Sequence, residues 1–193
     1  MTLSLDELKP QCRAEVELSC LQQGVAALAT HLKRGERFMM AFQVCYDTLS
    51  SHFGRVQFTD ACCELPSDFR QYLIIQLTDV PSGVPHSRLS DLVVVVKPYA
   101  KAVMCEIPEF WRNYADYGGL GLQAIGMNFD QSRLTRQQKA YALGKLITSA
   151  KQIGVSTFLT GVSDSRLYAA LVKGKYVSLR DRRLHLPSTD LAQ

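Results

Sequence analysis

The chain has little of what marks a membrane, secreted or nucleic-acid-binding protein. Crossing a bilayer takes ~20 consecutive apolar residues, and the longest apolar run here, residues 92–96, falls far short. Residues 1–10 carry no apolar core of a signal peptide, so none is read there. The net charge is only +4, with Lys and Arg scattered except near the C-terminus, which excludes a nucleic-acid tract. No pair among Cys12, Cys20, Cys45, Cys62, Cys63 and Cys105 has the CxxC spacing of a zinc or dithiol redox site. A chain of 193 residues does not need disulfide staples, so these cysteines read as free thiols in a reducing cytosol, and a cytoplasmic location is expected. The vicinal Cys62 and Cys63 are either a redox pair or two small residues near a helix end. There is no nucleophile elbow. None of His31, His52, His86 or His185 falls at a predicted strand end, so a nucleophile at Cys45 or Cys105 would lack a base. No internal repeat or low-complexity linker interrupts the chain.

What is present is material for one core. Hydrophobic residues make up 47% of the sequence, enough at this length for a buried interior. Ser4 and Glu7 fit a capping box before a helix with apolar residues at Leu8, Cys12, Val16, Leu18, Cys20, Val25, Leu28 and Leu32. Gly24 reads as a break or kink and Gly35 as the stop. The stripe suits packing on its own domain or on a partner. Short continuous apolar runs then mark strands buried on both faces, at residues 38–44, 72–77, 102–105, 122–129, 155–159 and 176–179. Helical patterns separate them. Residues 47–63 place Leu49, Phe53, Val56 and Ala61 inward; Ser87 caps a helix that Pro98 stops; residues 110–117 form an aromatic helix. Residues 135–153 place Tyr141, Leu143, Leu146, Ile147 and Ala150 inward, with Gly154 as C-cap, and residues 163–173 form the last helix. Strand–helix alternation throughout implies α/β architecture with a parallel sheet and crossover helices.

In such a fold the active site lies at the carboxyl ends of the strands. Those ends hold Gln43, Gln76 with Asp79, Cys105 with Glu106, Asn128 with Asp130, Thr160 with Ser163, and Ser178. Phe110, Trp111, Tyr114 and Tyr117 suit a ligand or protein contact or the core. Lys173, Lys175, Arg180, Arg182 and Arg183 suit an acidic partner, a phosphate or a solvated rim.

Two stretches resemble a known family. Leu65-Pro66 followed by Ile75-Gln76-Leu77-Thr78-Asp79 looks like the "LP…LxxEITE" segment of EAL domains. Ile153-Gly154-Val155 and Thr160-Gly161-Val162-Ser163 look like "LGhxVhAEGVET", with Tyr176-Val177 following as in "YVQG". Residues 38–186 thus resemble the C-terminal three-quarters of that family, a TIM-like barrel that hydrolyses cyclic di-GMP with two divalent metals. The first-strand Glu and phosphate-gripping Arg have no counterpart. The metal-binding Asn of "NVS" falls on Gln43. The two Glu of "EITE" fall on Gln76 and Asp79, and the aspartates of "DDFG" on Cys105 and Glu106. The Lys of "KIDRS" falls on Asn128, while its Asp is kept as Asp130. The Glu of "AEG" falls on Thr160, that of "GVE" on Ser163, and the Gln of "YVQG" on Ser178.

A divalent-ion site needs several carboxylates to offset the ion's dehydration, and these changes strip most of that charge. The resemblance therefore implies an EAL-like TIM-type barrel, incomplete at about six strands, that is catalytically inactive. It would act as a regulatory or protein-interaction module in bacterial signalling, without metal or other cofactor. One alternative is a sensor of cyclic di-GMP or another nucleotide. Another is a divergent metal-dependent phosphodiesterase using Asp79, Glu106 and Asp130. The expected organisation is a helical segment over 1–35, the α/β domain over 36–186 and a tail over 187–193. An open sheet leaves edges, to be covered by the N-terminal helix, by a protein partner or by a second copy.

Overall fold

The computed structural model describes residues 10–108, 113–129, 134–161 and 177–178. Six strands follow one another: β1 (Met40–Cys45), β2 (Leu73–Thr78), β3 (Ala102–Glu106), β4 (Ala124–Asn128), β5 (Ser156–Thr160) and β6 (Val177–Ser178). They form one sheet in that same order, and every neighbouring pair is parallel. Parallel neighbours require crossovers, and right-handed crossovers in sequential order place all the helices on one face. The described helices are α1 (Pro10–Lys33), α2 (Tyr46–Ser50), α3 (His52–Cys63), α4 (His86–Val96) and α5 (Arg136–Ile153). Six strands fall short of the eight that close a TIM-type barrel. Among the described residues, no helix is long and apolar enough to cross a membrane.

Side-chain alternation gives the sheet two unlike faces. Leu73, Ile75, Leu77, Val103, Cys105, Ile125, Met127 and Leu159 point to the helices and join the main core with Leu92 and Val96 of α4 and Leu146 of α5. The intervening residues point to the opposite, inner face. There Met104, Ala124 and Phe158 form a small apolar floor against Ile74. Gly126 lies in register with Phe158. A Cβ on Gly126 would come within 2.5 Å of the Phe158 carbonyl oxygen and 2.6 Å of its ring.

Several local expectations need correction. The strand boundaries shift by a residue or two; β1 starts at Met40. The single helix expected over 47–63 is two, because Ser51 is extended (φ −75°, ψ 142°) and its side chain caps α3 by accepting the Gly54 N–H. That break resets the helical phase. Phe53 and Val56 are therefore exposed at 62% and 41%, and Phe58 and Cys62 face the core. Gly24 neither breaks nor kinks α1, which runs unbroken to Lys33. It instead lets the helix approach β1, since a Cβ there would lie 2.7 Å from Phe42 Cζ. Val16 and Cys20 are exposed, and the buried residues of α1 are Ala14, Leu21 and Leu28. Tyr141 is 71% exposed, one position off the stripe of Ala142, Leu143, Leu146 and Ala150. α4 begins at His86 with Pro85 as its N-cap, so Ser87 lies inside it. Of the aromatic helix, Tyr114–Tyr117 is a 3-10 turn with Tyr114 and Tyr117 buried, and Phe110 and Trp111 lie outside the described residues. The capping-box pair Ser4 and Glu7, the helix over 163–173 and the basic cluster from Lys173 to Arg183 also lie outside them.

Gly126→Ala is expected to lower stability by about 3 kcal/mol, the upper end for overpacking. It should read as a lower urea midpoint at unchanged slope. Adding Phe158→Leu should recover only part of the loss, because the clash with the carbonyl oxygen remains.

Candidate functional site

The carboxyl ends of the strands bring a polar group together on the inner face. Gln43 pairs in register with Gln76, and Asn128 with Thr160. Glu106 is opposite Gly126, the one position there without a side chain. Three neighbours converge on Glu106. Gln76 Nε2 donates to Glu106 Oε2 at 3.2 Å. Thr160 Oγ1 donates to the same oxygen at 3.4 Å. Asn128 adds a further side-chain hydrogen bond to the carboxylate. Gln76 is only 2% exposed, whereas Gln43 is exposed. Cys105 faces the helices, on the opposite side of the sheet from Glu106. It is therefore also on the opposite side from Cys45, and the two thiols do not meet at the mouth. Asp130 and Ser163 lie outside the described residues.

A second polar group sits at the rim and enlists α1, which the sequence reading treated only as an apolar stripe. Asp79 follows β2 with φ +54°, a left-handed conformation that Asp tolerates better than most residues. Its carboxylate pairs with Arg13 Nη2. Arg13 Nε also lies 3.5 Å from Glu17 Oε1. That Glu17 oxygen accepts the Cys45 N–H at 3.0 Å, and Thr48 hydrogen-bonds Glu17 as well. The signal was an Arg and a Glu one helical turn apart, in a segment that also carries Glu15 and Ser19. It has no meaning until the helix is placed against a strand end.

Electrostatics follow from burial. Glu106 is pushed up to about 7, first by desolvation and then by repulsion from Asp79; the hydrogen bonds from Thr160, Asn128 and Gln76 pull the other way. Burial likewise raises Glu17, against the pull of Thr48, Cys45 and Arg13. Desolvation pushes Cys45 up to about 11 and Cys62 to about 12, and it raises Cys105 further still. Cys62 and Cys63 project from α3 in different directions, one into the core and one to solvent. The exposed Cys63 contacts the Tyr99 hydroxyl at 3.4 Å.

Among the described residues, both strand-end carboxylates already have partners. Glu106 already accepts from neutral donors, and Asp79 already has a guanidinium. Among the described residues no group of three or more His, Cys, Asp and Glu side chains is arranged to hold a metal.

Two measurements probe this site. The folded state holds the Glu106 proton beyond the range of a free carboxyl. Stability from this group is complete below that range and is lost as pH rises towards about 7. The loss is roughly 3 kcal/mol, at about 1.4 kcal/mol per pH unit. Glu106→Gln, which stays neutral, should therefore be more stable than the parent at about pH 8. The gap should close towards about pH 4, as read by urea unfolding across that range. Separately, a thiol-exchange reagent at neutral pH should label Cys20 and Cys63 in the folded protein. Mass-spectrometric mapping should find Cys45, Cys62 and Cys105 labelled only after unfolding.

The crystal structure of the FimX EAL domain is similar to this chain, with a TM-score of 0.62 at 14% identity, covering 84% of this chain and 66% of that one. The EAL enzyme Bd1971 in its cAMP-bound form gives a TM-score of 0.48 at 12% identity, covering 86% of this chain and 44% of that one. The chain thus spans less than two thirds of the length of either. No protein-family model and no curated protein matches it. At this identity the likeness is one of fold: an α/β, EAL-like, TIM-type barrel left incomplete at six strands.

Proposed function

We propose that this chain is a catalytically inactive EAL-like regulatory module of bacterial signalling that acts through protein contact. One observation carries the reading: the charge at the strand ends is satisfied internally. Glu106 is held by Gln76, Asn128 and Thr160, and Asp79 by Arg13. A phosphodiester hydrolase using metals needs carboxylates with lone pairs to spare for the ions. Here the same positions carry amides and a hydroxyl that aim hydrogens at the one inner carboxylate. The fold is kept while the charge is spent within it.

A protein contact also suits the open sheet. Among the described residues β1 has a strand neighbour on one side only, and an unpaired strand edge is a natural template for another chain. The partner is then a second copy or another signalling protein that meets the module at this edge.

A second reading, a nucleotide sensor without hydrolysis, is favoured by the exposed Gln43 beside the buried Gln76. The exposed Gln43 amide can read the hydrogen-bonding edge of a base, with Gln76 buried behind it.

Calorimetry of the purified chain against cyclic di-GMP, with and without Ca2+, separates the two. The module reading expects no saturable heat in either condition and no nucleotide turnover with Mg2+ or Mn2+. Saturable binding at micromolar concentration, weakened by Gln76→Ala, would move the assignment to the sensor. Turnover lost in Asp79→Asn would overturn both.

A further inference from the structure

The two halves of α1 are held by different forces. From Leu21 onward the contact is apolar: Leu21 and Leu28 are 2% and 0% exposed, and Gly24 lets the helix sit against Phe42. Between Arg13 and Cys20, Ala14 is the one fully buried residue and Arg13, Glu17 and Leu18 are partly buried, while Val16 and Cys20 face solvent. What holds this half is polar. Arg13 reaches Asp79 at the end of β2, and Glu17 takes the Cys45 N–H at the end of β1.

The Cys45 bond matters because β1 is an edge. Its terminal N–H goes to a carboxylate on α1 rather than to a strand. Asp79, for its part, is presented to Arg13 from a left-handed backbone position immediately after β2.

We propose that residues 10–20 of α1 are a latch on the carboxyl rim of the sheet, closed by the Arg13–Asp79 ion pair and the Glu17–Cys45 hydrogen bond and released independently of the apolar half. Release strips the exposed Asp79 of its counter-ion and frees the last N–H of the edge strand, while Leu21 and Leu28 keep the rest of the helix in place. The latch stands on these contacts alone and holds whichever partner or ligand the module takes.

Hydrogen exchange of the full chain, read by mass spectrometry at low ionic strength, tests it. Arg13→Gln and Asp79→Asn should each speed exchange of residues 14–20 by about fivefold, the scale of a half-exposed ion pair. Residues 24–33 and the six strands should keep the parent rate. The double variant should be no faster than Arg13→Gln alone, because that change already removes the pair with Asp79 along with the Glu17 contact. Asn accepts the left-handed position as Asp does, so Asp79→Asn retains the fold if Arg13→Gln does not. The unmodified chain in about 1 M salt, where the pair is screened, should show the same pattern. Unchanged exchange in residues 14–20, acceleration of the whole of α1 as one unit, or additive effects in the double variant would each overturn the latch.

Discussion

Parallel pairing in chain order is the constraint on which the site depends. Once each strand lies beside its predecessor, register alone decides which side chains meet and on which face. Glu106 and Thr160 are 54 residues apart in sequence, yet they share a hydrogen bond because both point to the inner face near the ends of their strands. Cys105, one residue from Glu106, goes to the opposite face and into the main core. A shift of one residue in any strand would exchange these fates. The apolar floor of Met104, Ala124 and Phe158 works against such a slip, because it would carry those side chains to the wrong face.

Burying one carboxylate on that face sets the second constraint. Desolvation disfavours the charged form, and Asp79 adds repulsion. The donors from Gln76, Asn128 and Thr160 compensate the charged form in part. The result is an acid poised near neutrality rather than a strong ligand for a cation. Asp79 would add negative charge to the same mouth, but α1 delivers Arg13 to it. Both carboxylates are thus accounted for by neighbours within the fold, one by neutral donors and one by a counter-ion.

The architecture was legible in the sequence because its signals are periodic and local. Short continuous apolar runs mark strands buried on both sides, and α5 ends at the Gly154 C-cap as read and starts one residue later than read, with Thr135 as its N-cap. Less was legible where a single residue changes phase. Ser51 splits one predicted helix into two by capping the second, which carried Phe53 and Val56 to solvent. Gly24 looked like a helix breaker, whereas its part is to let α1 approach Phe42. At the site, the strand-end residues could be named in advance, but which face each takes depends on register. The contribution of α1 depends on contacts 28 and 66 residues away in sequence, and no local pattern encodes those.

The two constraints act on different parts of the molecule, and that separation bears on function. The fold is held by apolar residues facing the helices and by strand pairing. Neither uses the strand-end charges that metal-assisted hydrolysis would need. Amides and hydroxyls at those ends therefore cost the scaffold little, provided each buried polar group finds a partner. Gln76 meets that condition by bonding Glu106. Where the sheet stops at β1, the same rule applies to backbone groups, and Glu17 meets it for Cys45. A helix that satisfies an edge strand through one carboxylate and one ion pair gives that edge a cover held by few, screenable contacts. The sheet edge is then protected from indiscriminate strand pairing.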